Sequence, residues 1–387
     1  MQRIACEERE DWRDTAVKVG FAFHSLNGEP YWDESAYYAF TLEEIERDIE
    51  APTAEIDAMC RELVSRAVDD ERMLRALRIP ERFWTLIAAS WKRGDPSLYG
   101  RFDFAYDGRG PAKLLEYNAD TPTSLFESAV FQWIWLEEAS TRSILPPAAD
   151  QYNSLHECLV GAWASAGTGA VHLCGMIDNP EDAGTLAYLQ DTAHQAGLAT
   201  TVLAMDGIGR REDGTFVDLD DQPIDCAFKL YPWEWMMQEE FGAGLAGAST
   251  RWLEPPWKAI LSNKGILPLL WRLFPGHPNL LPAYFEGEAE AAKLGRSYAR
   301  KPLYSREGAN IALVVNGSEV DTDCGPYGRE GHIRQALAPM PQFAGNYAVI
   351  GSWVAGGRPC GVGIREDSSP ITKNTSRFLP HAILQAA

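Results

Sequence analysis

The stretch from Tyr99 to Asn118, YGRFDFAYDGRGPAKLLEYN, constrains this chain more than any other. Two arms flank the segment DGRGP (Asp107 to Pro111), whose residues are those of a turn. Strand side chains repeat with period two. Arg101 and Asp103 therefore share one face of the first arm, with Phe102 and Phe104 on the other, while Glu116 and Asn118 share a face of the second. An antiparallel ribbon pivoting between Arg109 and Gly110 puts Asp103 opposite Glu116 and Arg101 opposite Asn118. Two carboxylates, an amide oxygen and a guanidinium then crowd one patch. Like charges opposed across a ladder destabilise it, so a cation between them is the natural resolution. Oxygen ligands on one face suit Mg²⁺ carried together with substrate phosphates. The alternative is an exposed hairpin with scattered surface charges.

A chain of 387 residues can build two or three lobes with substantial cores. No stretch approaches the roughly 18 apolar residues of a membrane span, and MQRIACEEREDWRD lacks the apolar core of a signal peptide. A cytoplasmic protein with no membrane partner is expected. The seven cysteines are scattered and never spaced as CxxC, which speaks against a disulfide framework and a zinc site. No HExxH or deaminase signature occurs among the seven histidines. A net charge of -20 opposes binding to nucleic acid. It favours cationic ligands such as amines or polyamines, or serves solubility alone.

Along the chain, helical periodicity runs from about Thr41, a candidate N-cap with Glu44 at the capping-box position. Pro80 opens a further helix with Phe83, Ile87 and Trp91 on one apolar face. After Asn118, ADTPTSL leads into an apolar helix beginning near Ser124; a helix N-terminus behind hydroxyls can receive a carboxylate or phosphate, which makes Thr121 and Thr123 substrate candidates. Capping is the alternative role for those hydroxyls. From Gly169 a strand, an acidic loop with Glu181 and Asp182, a helix ending at Gly197 and a second strand form a βαβ unit. Ligands bind open α/β sheets just beyond strand carboxyl ends, where the two acids lie. Gly207 to Pro223 reads as a hairpin of acidic turns, followed by a strand in CAFKLYPWEW. SYARKPLYSREGANIALVVN reads as a strand ending in Lys301, a loop with Ser305, Gly308 and Asn310, and a second strand; such a loop can fold over phosphates or be a plain hairpin turn. HIRQALAPMPQF, YAVIGSWVAGG and CGVGIRED supply three more strands.

Four ordered motifs carry a resemblance over essentially the whole chain: YGRFDFAYDGRGPAKLLEYNADTPTSL, EPPWKAILSNKGILPLLWRLFPGHPNLLPAYF, YARKPLYSREGANI and GVGIREDSSPITKNTSRFLPH. Together they resemble the synthetase domain of glutathionylspermidine synthases, and most of all the stand-alone acid–amine ligases of that family. The resemblance implies an α/β (mixed α+β) ATP-grasp ligase fold, with a helical N-terminal region and a pre-ATP-grasp βαβ lobe. The expected organisation is residues 1–168 for the helical region and ribbon, 169–250 for an α/β substrate lobe, and 251–387 for the lid and nucleotide lobe. The amidase domain of bifunctional members has no counterpart, so ligation without the reverse hydrolysis is expected.

Carried over position by position, Asp103, Glu116 and Asn118 match the Mg²⁺ ligands and Arg101 the arginine facing the transferred phosphoryl group of ATP. Lys264 and Lys301 match the phosphate-binding lysines, with Lys258 a weaker substitute. Gln335 matches the hinge residue beside the adenine, where backbone near Leu337 contributes, and Arg365 a second catalytic arginine. Thr121 and Thr123 match hydroxyls that hold the thiol-tripeptide acid, and Glu181 and Asp182 the acidic pair near the peptide and amine ends. Two positions depart from the pattern. Trp235 replaces a hydroxyl, and Arg377 replaces an acid that helps bind the polyamine, where a cation repels spermidine. The expected activity is formation of an amide from a carboxylate, peptide-like and possibly glutathione, and an amine, possibly a polyamine, through an acyl phosphate. A non-catalytic nucleotide-binding regulator is the alternative, and a homodimer is a compatible assembly. A metal-dependent hydrolase lacks a candidate water-activating base.

Overall fold

Tyr99–Ala105 and Lys113–Asn118 pair antiparallel in the computed structural model, which describes residues 1–385 apart from residues 27 and 168. Arg101 faces Asn118 and Asp103 faces Glu116, the register expected from the pivot. Beyond Asp103 the register shifts and Phe104 faces Leu114, so Leu115 is the extra residue of a β-bulge. A bulge bends its strand and re-aims local groups.

The ribbon is not an exposed hairpin. All seven residues of its first arm are buried, because the long strand Asn346–Ala355 pairs along its other edge. Arg358–Asp367 and Arg377–Leu379 extend this antiparallel sheet outward. Phe102 and Phe104, the out-of-phase pair, turn their faces to a core that includes Ile49, Met59, Leu63 and Leu114. The Phe102 ring stacks on Tyr117 with centroids 3.8 Å apart.

The helices that cover this face begin where capping chemistry places them. Thr41 Oγ1 accepts from the Glu44 backbone N–H at 3.2 Å, and the Glu44 carboxylate accepts from Thr41 N–H at 2.9 Å, a complete capping box. The helical run continues through a π-turn, Ile45–Glu50, into Ala51–Ala67. Pro80 leads a 3₁₀ turn into Trp84–Arg93, and Gly94 ends that helix at φ +70°, where a left-handed residue is needed. Phe83 and Ile87 are buried as expected, with Trp91 half-buried. After the ribbon, helical residues start at Leu125, immediately after Ser124.

A second sheet is parallel, with order Arg251–Leu253, Cys226–Leu230, Ala170–Gly175 and Ala199–Ala204. The βαβ unit is present, but its helix spans Pro180–Gln195 and starts earlier than the acidic loop suggested. Asn179 caps it through Oδ1, Pro180 occupies the first turn, and Glu181 and Asp182 sit on that turn at the positive end of the helix. The hairpin within Gly207 to Pro223 forms from Gly209–Arg210 and Phe216–Val217. A third, antiparallel sheet has the order Ala283–Phe285, His332–Ala336, Tyr298–Pro302, Ala312–Val315 and Ser318–Thr322. Strands cross the segment limits drawn on the sequence: the ribbon shares a sheet with residues beyond 340, and Arg251–Leu253 belongs to the parallel sheet.

Phe102→Ala removes a ring that is 0 % exposed and stacked at the centre of this packing. The expected cost is about 3–5 kcal/mol, read from the midpoint of chemical unfolding; a loss below ~1 kcal/mol would mean that the ring does not anchor the ribbon.

Candidate active site

On the polar face of the ribbon Arg101 and Asp103 are buried and Glu116 and Asn118 half-buried, and its charges are met by side chains from three parts of the chain. Arg101 grips Asp103 with two hydrogen bonds, Nε to Oδ1 at 2.7 Å and Nη2 to Oδ2 at 3.0 Å, and its Nη1 donates to the Thr123 carbonyl. Asn118 Nδ2 donates to Asp103 Oδ2 at 3.0 Å and to Glu116 Oε1 at 3.4 Å. Lys264 Nζ lies 2.8 Å from Glu116 Oε2 and also donates to the Ser305 carbonyl. The like-charge conflict between Asp103 and Glu116 is thus answered by a guanidinium, an ammonium and an amide. In this arrangement Arg101 is the counter-ion of Asp103.

Lys301 arrives on the strand Tyr298–Pro302 of the third sheet and donates to the Leu115 carbonyl at 2.8 Å. The bulge explains that contact, since Leu115 is the residue looped out of register. Burial pushes the Lys301 ammonium down to about 8, partly opposed by the nearby Glu116 carboxylate. Glu116 feels the reverse balance: burial raises its carboxyl, but Lys264 and Lys301 outweigh that and hold it at about 2. Asp103 is raised above its ordinary range by burial, against the pull of Arg101.

Two cavities meet on this face. One, of about 300 Å³, is walled by Ala299, Leu313, Met340, Val349 and Ile371, with Gln335 and Leu337 at its side and Lys301, Asp103 and Glu116 at its end. Gln335 is buried and donates from Nε2 to the Leu114 carbonyl at 3.0 Å, which ties its strand to the ribbon. An apolar cavity whose lining also holds one lysine and two carboxylates has the form of a small-ligand pocket with a few convergent polar groups. The second cavity, about 100 Å³ and polar, shares Asp103, Glu116, Gly308 and Thr372 with the first. Gly308 has φ +75°, and a Cβ there would lie 2.6 Å from the Thr372 carbonyl oxygen, so only glycine fits the wall between them.

Arg101, Thr121, Thr123, Lys264 and Arg365 all line the polar cavity. Arg365 is held in place by carbonyls: its Nε donates to Ser376 at 3.1 Å and its Nη2 to Lys373 at 2.7 Å, while Nη1 donates to Ser124 Oγ at 3.3 Å. Sequence reasoning missed Arg306 and Glu234. Arg306 donates to Thr121 Oγ1 and, at 2.9 Å, to Glu234 Oε1. Arg306 Nε, Glu234 Oε2 and Ser305 Oγ are buried polar atoms without a hydrogen-bond partner. Such atoms are costly, and three in one cavity mark where a polar ligand belongs. The only sequence signal was their neighbourhood, since Arg306 lies between Ser305 and Gly308 of the suspected phosphate loop and Glu234 precedes Trp235.

Other candidates lie apart from the two cavities. Lys258 is buried with Glu254 at 2.9 Å and donates to the Tyr99 carbonyl at 2.6 Å, so it braces the ribbon from behind and faces no cavity. Arg377 is bound by Asp33 and Glu366, both at 2.6 Å, and its charge is already answered on the outer strand of the sheet. The repulsion expected of a free cation there is thereby blunted. Trp235 is 39 % exposed, edge-on to Tyr231, with the Arg306 guanidinium 5.7 Å from its ring. Glu181 and Asp182 line neither cavity, yet burial raises Glu181 to about 7 and Asp182 to about 6, with Glu127 and Glu307 adding to the rise.

Among the described residues no cluster of three or more His, Cys, Asp or Glu side chains could hold a metal alone. The ribbon face offers two carboxylates and an amide that converge through Asn118. Hard oxygen donors too few to enclose an ion suit Mg²⁺ that brings phosphate oxygens with it.

With this geometry in view, comparison with known proteins is direct. The family model for the glutathionylspermidine synthase preATP-grasp region matches residues 3–384. A provisionally named acid–amine ligase of Haemophilus influenzae is 41 % identical over 96 % of this chain and 97 % of its own length. Trypanothione synthetase of Crithidia fasciculata is 32 % identical over 82 % of this chain, which spans 52 % of that protein. The bifunctional glutathionylspermidine synthetase/amidase of Escherichia coli is 29 % identical over 97 % of this chain, which spans 64 % of it. A glutathione synthetase-like effector of Globodera pallida, solved in its apo form, superposes with a TM-score of 0.57 at 13 % identity over 97 % of this chain and 96 % of its own, a likeness of fold. The fold is accordingly that of an ATP-grasp protein, and the chain belongs to the glutathionylspermidine synthase family as an acid–amine ligase of that kind.

Proposed function

We propose that the protein joins a peptide-like carboxylate to an amine, with ATP as co-substrate and Mg²⁺ as cofactor, releasing ADP and phosphate. The carrying observation is the junction of the two cavities. An apolar slot ends in Lys301, and a polar cavity holds Arg101, Arg365 and unpartnered Arg306 and Glu234 atoms, with Asp103 and Glu116 common to both.

A carboxylate and an amine do not condense in water, because the carboxylate oxygen is a poor leaving group. Converting it to an acyl phosphate supplies a good one. The transfer spreads negative charge over non-bridging phosphoryl oxygens, and fixed cations stabilise that charge. Lys264 and Lys301 are assigned to the nucleotide phosphates, and Gln335 and the backbone at Leu337 to the base. Asp103, Glu116 and Asn118 would hold Mg²⁺, whose positive charge neutralises phosphate oxygens. Arg101, now paired with Asp103, would be the cation beside that ion, directed at the phosphoryl group. Arginine suits this role because it stays charged and forks onto phosphate. Arg365, braced by three carbonyls, is the second cation, positioned for the oxyanion formed when the amine attacks the acyl carbon.

Thr121 and Thr123 are assigned to the acid, and Glu181 and Asp182 to the amine end. Glutathione and a polyamine are the family's pair, but a hydroxyl position of that family falls on Trp235, which lines neither cavity. The acid is therefore proposed as a class, a peptide-like carboxylate, and the amine as a cation recognised by carboxylates.

A screen of carboxylates crossed with amines should give phosphate and ADP only when both partners are present; formation of AMP and pyrophosphate would overturn the acyl-phosphate route. Glu116→Gln should lower turnover roughly 10²-fold or more while the protein still unfolds cooperatively, and wild-type turnover in that variant would remove Glu116 from the metal site. Glu181 has a folded-state pKa of about 7, above its ordinary 4.5, so the folded protein holds more protons than the unfolded chain in that window. Stability should therefore fall as pH rises from about 4.5 to 7, and amine binding should improve over the upper part of that range as the carboxylate ionises. Glu181→Gln should make both profiles shallower, leaving the part due to Asp182, raised to about 6; an amine KM that does not change with pH in the wild type would dissociate Glu181 from the amine.

A further inference from the structure

Arg365 lines the polar cavity, yet among the described residues it makes no hydrogen bond to a carboxylate. Its partners are the carbonyls of Ser376, Lys373 and Asn374 and the hydroxyl of Ser124. That hydroxyl is the first link of a buried chain. Ser124 Oγ lies 2.9 Å from the Tyr31 hydroxyl, and Tyr31 donates to Glu127 Oε1 at 2.5 Å. Ser124, Tyr31 and Glu127 are all buried, and none of them lines either ligase cavity.

The chain has one direction. A guanidinium only donates, so Ser124 Oγ accepts from Arg365 Nη1 at 3.3 Å. The single Tyr31 proton is committed to Glu127, which leaves the Ser124 proton to point at the Tyr31 oxygen. Arg365, Ser124, Tyr31 and Glu127 therefore run from donor to acceptor, with a cation at one end and a carboxyl group at the other. A carboxylate in direct contact with Arg365 would occupy the N–H groups that an oxyanion needs. Two interposed hydroxyls fix the guanidinium and hold the acidic group away from it.

The backbone anchors both ends of this chain. The Tyr31 carbonyl accepts from the Phe378 N–H at 2.7 Å, and Phe378 is the residue that pairs with Arg365 across the ladder. Ser124 sits at φ +67°, a left-handed conformation that serine seldom adopts. Its carbonyl accepts from the Ser128 N–H at 3.2 Å and from Ser128 Oγ at 2.7 Å. The preceding carbonyl, of Thr123, accepts from Arg101. One turn thus holds both arginines, Arg101 by its backbone and Arg365 by its side chain. We propose that Tyr31 and Glu127 are positioning residues of the ligase reaction, which act through Ser124 to fix the Arg365 guanidinium in the orientation that meets the oxyanion. The proposal rests on the role given to Arg365 above.

Tyr31→Phe keeps the ring and removes the hydroxyl that joins Ser124 to Glu127. In the full chain labelled with isotopic arginine, the Arg365 side-chain N–H signals are identified by their loss in Arg365→Ala. Without any substrate present, those protons should exchange with solvent about tenfold faster in Tyr31→Phe than in the wild type. Kinetics use the carboxylate–amine pair that releases phosphate fastest from Mg·ATP in the screen. Tyr31→Phe and Ser124→Ala should each lower kcat about tenfold while KM for ATP and for the amine stays within about twofold. Glu127→Ala should do the same, and Glu127→Gln, which keeps an acceptor oxygen for Tyr31, should recover kcat to within about threefold of the wild type. In an Arg365→Ala background Tyr31→Phe should cost nothing further, because its effect passes through Arg365. Unchanged exchange at Arg365, an unchanged kcat in Tyr31→Phe, or an equal fall in the Arg365→Ala background would overturn the proposal. Wild-type kcat in Arg365→Ala alone would instead overturn the role of Arg365 itself.

Discussion

The structure depends on how a buried cluster of charges is neutralised. A buried Asp103 and a half-buried Glu116 face each other across a ladder, where isolated carboxylates are costly to hold. Arg101, Lys264 and Asn118 offset that cost within hydrogen-bonding distance, and Lys301 adds its field from the third sheet. Each partner is anchored in a different element. Lys264 precedes the helix Ile266–Leu273, Lys301 lies in the third sheet, and Arg101 in the ribbon itself. Neutralising the face therefore requires that the lobes come together.

The rest of the architecture delivers those groups. The ribbon is rigid because one edge is covered by the strand Asn346–Ala355 and one face by helices. The bulge at Leu115 breaks the ladder and offers a carbonyl to Lys301. Gly308 narrows the wall between the apolar cavity and the polar cavity without a side chain. What remains unsatisfied is equally informative. Arg306 Nε, Glu234 Oε2 and Ser305 Oγ have no partners in a cavity otherwise crowded with hydrogen bonds. These three polar atoms lie together where a substrate is proposed to complete them.

Much of this was legible in the chain because it is local. Thr41 and Glu44 announce a capping box, Asn179 and Pro180 could have announced the true start of the Pro180–Gln195 helix, and DGRGP announces a turn. The pairing of Asp103 with Glu116 follows from turn position and strand period, and it is present. The bulge was not legible, since nothing in KLLEYN distinguishes Leu115 from its neighbours. Lys258 and Lys264 illustrate the same limit. They stand six residues apart in one Pro-rich segment, yet one braces the ribbon beside Glu254 and the other faces Glu116. Arg377 looked like a free cation until Asp33, over 340 residues away, supplied its partner.

By itself the sequence determined the ribbon with its polar face, the order of helices and strands, and membership of an acid–amine ligase family, because period, turn chemistry and ordered motifs need no knowledge of distant contacts. Tertiary structure decided burial, and with it the meaning of the ribbon. A surface hairpin and a charge-lined ligand site share the same local pattern. They differ only in whether Asn346–Ala355 covers one edge and whether Lys264, Lys301 and Arg306 converge on the face. Those contacts join residues about 150 to 250 positions apart, and only the folded chain brings them within reach of one another.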